Sequence, residues 1–179
     1  MTTSSDHPRL LQTVLDAPDP RRLAEFYREL LGFRYRPGDE PEEAGPDADW
    51  LVLLGDDGSR RLAFQLAPDM PAPRWPEGSP PQMLHLDLTV GSVADLERQR
   101  SRAVALGAEV LLDRTADEDE PLYVLRDPAG HPFCVFVAPE DQLASYAVDR
   151  LRSAHASTSA RRSSSAPVTI STASPPSSR

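Results

Sequence analysis

The chain has 179 residues, 39% of them hydrophobic, a formal net charge of −9, a single cysteine and no lysine. One cysteine excludes an intrachain disulfide framework, and no run approaches the roughly 18 apolar residues of a membrane span. Residues 1–149 hold all 28 acids against 14 arginines, a net −14 that would repel a phosphate backbone, so no nucleic-acid partner and no membrane partner are expected.

Residues 1–8 read as a flexible N-terminus without the basic and then apolar pattern of a signal peptide, so a cytoplasmic location is expected. Residues 10–15 read as a strand. Asp19 then supplies an N-cap and Pro20 a first-turn proline. Leu23, Phe26, Tyr27, Leu30 and Leu31 recur at helical spacing up to Gly32, a glycine stop. Strands follow at 33–36, 50–54 and 62–66, the last two joined by GDDG at 55–58. The Pro-rich linker, 68–82, carries no periodic pattern. Residues 83–90 give the clearest strand alternation in the chain. Ser92 caps a second helix with Val93, Leu96, Val104 and Leu106 on its apolar side, and Gly107 ends it. Strands follow at 109–112, 122–125 and 133–137, with the DPAG turn at 127–130 before the last. The acidic stretches 38–49 and 113–120 read as solvated loops.

The order is βαβββ written twice, with LGF at 31–33 and LGA at 106–108 in equivalent places, 75 positions apart. The expected fold is α+β: two βαβββ repeats whose curved mixed sheets surround a shared cleft. The domain spans 9–139, as repeat 1 (9–67), the linker (68–82) and repeat 2 (83–139). A short helix is expected at 140–152. Residues 153–179 are Ser, Ala, Pro and Arg with little apolar bulk, and read as a disordered tail.

Strand alternation divides core from cleft. Leu84, Leu86, Leu88 and Val90 share the face that must lie on a helix, and His85, Asp87 and Thr89 share the other. By the same rule Gln12, Val14 and Asp16 face together, as do Cys134 and Phe136, with Gln65 against Leu66. If the free faces curl toward each other, Gln12, Gln65, His85, Asp87, Cys134 and Phe136 converge in a small-molecule pocket. Asp87 lies two residues from His85 and would orient it as a general base, which makes these two the candidate catalytic residues. Val14, Trp50 and Trp75 join Gln12, Gln65 and Phe136 as candidate ligand contacts, Trp75 because a linker aromatic lacks a core face. The plain alternatives are a hydrogen-bonded sheet histidine at 85 and a small buried filler at Cys134.

DPRRLAEFY at 19–27 with LGF, HLDLTV at 85–90, LGA at 106–108 and DPAGHPFC at 127–134 together resemble the vicinal oxygen chelate superfamily. That superfamily includes glyoxalase I, bleomycin-resistance proteins and extradiol dioxygenases, and the chain is most similar to its glyoxalase-like domain proteins. The resemblance implies a metal site with ligands on the first and last strand of each repeat, which here fall on Gln12, His85, Gln65 and Cys134. Aligning Ala67 with Ala138 instead sets Ala63 opposite Cys134. The last-strand carboxylates of the pattern are absent, so the expected cofactor is none, with a divalent metal on these four residues as the alternative. The expected function is binding of a small apolar or aromatic metabolite without a tightly held metal. The alternative is a lyase, isomerase or dioxygenase that uses His85 as base or metal ligand. The cleft would close either within one chain or across a homodimer.

Overall fold

Short-range signals set where the elements begin and end. The computed structural model of the chain describes residues 8–138. The N-terminal segment expected at 1–8 (all but its last residue), the helix at 140–152 and the tail at 153–179 lie outside the described residues. β1 (Thr13–Ala17) leads into α1 (Pro20–Leu31). The Asp19 carboxylate accepts the Arg22 N–H at 2.9 Å, and Gly32 takes a left-handed φ of 70°. β2 (Arg34–Tyr35), a single turn α2 (Pro41–Ala44), β3 (Trp50–Leu54) and β4 (Arg60–Leu66) complete repeat 1. β5 (Leu86–Val90), α3 (Val93–Ala105), β6 (Glu109–Asp113), β7 (Leu122–Arg126) and β8 (Pro132–Val137) form repeat 2.

Each repeat makes one four-stranded mixed sheet, ordered β1-β4-β3-β2 and β5-β8-β7-β6. First and last strands run parallel in both, and the other pairs run antiparallel. The fold is therefore α+β with the same topology twice. Among the described residues no ladder joins the two sheets, so they do not close into a barrel. One hydrophobic core serves both. Leu23, Phe26, Tyr27 and Leu30 of α1 meet Leu51, Leu53 and Phe64 of the first sheet and Leu125, Phe133 and Val135 of the second. Tyr27 stacks on Phe64 at 6.0 Å between centroids, and Phe26 meets Phe133 edge-on at 5.9 Å. Burial of each such side chain stabilises by about 1.5–3 kcal/mol, so neither repeat is complete without the other.

Three expectations change. β1 starts three residues later than 10 and runs to 17, and β5 starts at 86 rather than 83, because partners β4 and β8 determine where the ladders run. Leu84 consequently precedes the ladder and is exposed rather than core. On α3 only Leu96 and Ala103 are fully buried, while Val93 and Val104 are exposed. Val104 sits about 100° round the helix from Ala103, and Val93 is its first residue. Finally, the acidic stretch 38–49 is not all solvated. Asp39 is buried, accepts the Val52 N–H at 2.8 Å and pairs with Arg36 at 2.7 Å. Arg21 donates to the Asp39 and Gly45 carbonyls, which pins this loop to α1.

Candidate functional site

Two features carry chemistry, one on the second repeat and one between the two. The first is on the sheet face away from the helices. The β5–β8 register sets Asp87 beside Cys134, and His85 precedes β5 on the same side. His85 Nε2 lies 3.4 Å from Asp87 Oδ1, with the two side chains 45% and 59% exposed. An extended strand separates residues i and i+2 by about 7 Å, so the side chains lean toward each other to meet. One ligand atom from each of His85, Asp87 and Cys134 lies within 4.8 Å of the others. Burial, then the charge of Asp87 and its hydrogen bond, pushes the Cys134 thiol up to about 11. A thiol held protonated in this way is a poor nucleophile.

The donor set is one nitrogen, one oxygen and one sulfur. Three protein donors with an open side suit a borderline-soft divalent ion such as Zn²⁺. Asp87, on the first strand of the second repeat, brings to this group a carboxylate that the last strand does not offer. The first repeat has no equivalent. Its register pairs Val14 with Ala63 where the second pairs Asp87 with Cys134, so Ala63, not Gln65, is the counterpart of Cys134.

The second feature is a cavity of about 430 Å³ between the edge strands of the two sheets. Val14, Leu15 and Asp16 of β1 form one wall, and Leu84, His85 and Leu86 the other. The linker crosses it with Met70, Pro71, Pro73, Pro80 and Pro81. The linker comes this close because residue 130 is glycine. Gly130 has a φ of +104°, and a Cβ there would lie 2.7 Å from the Ala72 Cβ. Met83, 94% exposed, forms an apolar rim.

Beneath the apolar lining sits a polar cluster. Asp127 Oδ1 accepts the N–H groups of Ala129, Gly130 and His131 at 2.9–3.0 Å. Its Oδ2 accepts the Tyr27 hydroxyl at 2.9 Å and lies 3.1 Å from His131 Nδ1. Burial, then the Asp127 charge, raises the Tyr27 hydroxyl well above its ordinary value. Tyr27 and His131 both line the cavity.

Among residues singled out from sequence, Val14 and His85 line the cavity, and His85, Asp87 and Cys134 come together. Gln12, Trp50, Gln65, Trp75 and Phe136 do not line it. Gln12 precedes β1, with its side-chain oxygen buried and without a partner among the described residues. Trp50 packs on Val52, Leu54 and Ala63 on the face of the first sheet turned away from α1, in register with Gln65. Phe136 lies beside Thr89 and Leu122, and half-buried Trp75 stays in the linker. Sequence reasoning missed Tyr27, Asp127 and His131 as a unit. The only local signal was the aspartate four residues before a histidine in a turn, since Tyr27 is 100 positions away.

The family model described as a glyoxalase-like domain matches residues 12–136. Among solved structures, a possible glyoxalase from Bacillus cereus is 16% identical, with a TM-score of 0.51 over 71% of this chain and 96% of that one. A glyoxalase/bleomycin resistance protein/dioxygenase family enzyme from Burkholderia phytofirmans PsJN is 18% identical, with a TM-score of 0.51 over 71% and 96%. The fosfomycin resistance protein FosX from Listeria monocytogenes is 12% identical, with a TM-score of 0.53 over 76% and 98%. At these identities the likeness is one of fold. No match was found among curated proteins.

Proposed function

The chain belongs to the glyoxalase-like domain family, and from that premise we propose that it binds a small, largely apolar or aromatic molecule between its two sheets without requiring a metal. The cavity itself supports this reading best. Its volume falls in the range of small-molecule sites, and its lining is mostly aliphatic side chains and prolines with a few convergent polar groups. Apolar lining supplies affinity at about 25 cal/mol per Å² removed from water, and His85, His131 and Asp16 supply orientation. Among the described residues no helix is long and apolar enough to cross a membrane. We place the protein in the cytoplasm, with a small metabolite rather than a macromolecule as its partner.

A second reading is favoured by one observation, the His85–Asp87–Cys134 group. Those three residues would hold a divalent ion, which when bound supplies Lewis acidity at the mouth of the cleft. His85 belongs to both features, since it also lines the cavity. In that case the protein is an enzyme of the lyase, isomerase or dioxygenase kind. Without the ion, Asp87 polarises His85 as an exposed base.

Elemental analysis of purified full-length protein, beside thermal shift with Zn²⁺, Ni²⁺, Fe²⁺ and Mn²⁺ and with a panel of hydrophobic small molecules, separates the two. Stabilisation by apolar molecules in metal-free protein supports the first reading. Stoichiometric metal that disappears in His85→Ala overturns it in favour of the second.

A further inference from the structure

The buried cluster behind the cavity dictates what His131 can offer a ligand. Every other neighbour of Asp127 donates to it: three backbone N–H groups to Oδ1 and the Tyr27 hydroxyl to Oδ2. A carboxylate so placed has only lone pairs to give, so in the 3.1 Å contact the imidazole Nδ1–H is the donor. In the neutral ring that leaves Nε2 with a lone pair, and no described residue bonds it. The His131 side chain is only 16% exposed and lines the mostly apolar cavity, with Asp16 and His85 as its other charged or imidazole groups. An acceptor in a mostly apolar lining gains most when a ligand brings the donor that meets it.

On the reading of the cavity as a small-molecule site, we propose that His131 Nε2 is its specificity determinant, accepting a hydrogen bond from a hydroxyl on an apolar or aromatic ligand. Asp127 and, behind it, Tyr27 are positioning residues that hold the imidazole in the Nδ1–H tautomer. The ligand class is therefore an alcohol or phenol rather than a hydrocarbon or an ether of the same shape. Tyr27 reaches the cluster from the first repeat, so the selectivity of the site depends on the packing of both repeats.

Titration of the full-length protein with 1-naphthol and with 1-methoxynaphthalene tests this, because the two differ little except in the O–H. Wild type is expected to bind the naphthol roughly three- to tenfold more tightly, the range of one neutral hydrogen bond. His131→Ala removes the preference, which is read as the ratio of the two affinities. Asp127→Asn keeps an oxygen for the three N–H groups but presents an amide N–H to Nδ1, which moves the ring proton to Nε2 and also abolishes the preference. Nitrogen-15 NMR of the wild-type histidines reads the tautomer without any variant. Equal binding of the two probes, a preference that survives both substitutions, or an Nε2–H tautomer overturns the assignment while leaving the cavity reading intact. If neither probe binds, the cavity reading falls and this assignment with it.

Discussion

Tyr27→Phe isolates one buried hydrogen bond between the repeats. The substitution keeps the ring that stacks on Phe64 and meets Phe133, and deletes only the hydroxyl 2.9 Å from Asp127. A buried hydrogen bond to a charged acceptor contributes about 1.5–3 kcal/mol, so the variant should be about 2 kcal/mol less stable at neutral pH by urea unfolding, with an unchanged m-value. The pH dependence gives a second handle. Burial and Asp127 hold the hydroxyl well above the ordinary 10.0, so the folded chain keeps a proton that the unfolded chain loses near pH 10. The stability owed to that proton is fully present below the unfolded value and falls as pH rises from there toward the folded one. At one unit above the unfolded value about 1.4 kcal/mol has gone. Phenylalanine does not titrate, so the difference between wild type and variant should narrow from about 2 to about 0.6 kcal/mol between pH 8 and 11. All other groups cancel in the difference. A gap below about 0.5 kcal/mol at neutral pH, or one that stays constant to pH 11, would refute the buried-bond argument.

Cys134, raised from 9.0 to about 11, holds roughly a hundredfold less thiolate at pH 8 than an ordinary thiol. The greater nucleophilicity of a high-pKa thiolate recovers up to about tenfold, so iodoacetamide should alkylate it about tenfold more slowly than a free-cysteine peptide, and a rate equal to the peptide's would contradict the shift. Gly130→Ala puts a Cβ into Ala72 at a positive φ, and should lower stability by about 2 kcal/mol and weaken ligand binding in the cavity. An unchanged melting temperature would show that the linker is not held there. Asp39→Ala strips the Val52 N–H and Arg36 of their partner and should cost about 2–3 kcal/mol, whereas Asp39→Asn keeps an acceptor and should cost about half as much. Guanidinium or urea unfolding of the pair checks the ranking, and an alanine variant as stable as wild type would remove Asp39 as the anchor of the 38–49 loop.

Much of the architecture was legible because its causes are short-range. Asp19, Ser92 and Gly32 mark helix ends by hydrogen bonds and φ values within a few residues. Alternation along 85–90 separated the Leu/Val face from His85 and Asp87, and the structure keeps that separation along β5. The repeat was readable because both copies solve the same packing problem with the same signals. Its alignment within the last strands was not, since Gln65 and Ala63 were both compatible with the spacing. Only the pairing of Val14 with Ala63 and of Asp87 with Cys134 settled it.

The site itself depended on longer reach. His85 and Asp87 were visible as neighbours on one face, but the approach of Cys134 to both required β8 to lie parallel beside β5. Leu84 looked like core from its period and became cavity wall, because the ladder begins two residues after it. The sequence alone determined the two-repeat α+β plan, the ends of its two long helices and the polar face of β5. The tertiary structure decided where the cavity lies, how Gly130 admits the linker, and that Tyr27 and His131 meet on one carboxylate. Capping and periodicity act over a few residues, whereas a cavity exists only where segments distant in the chain pack against each other and leave a space.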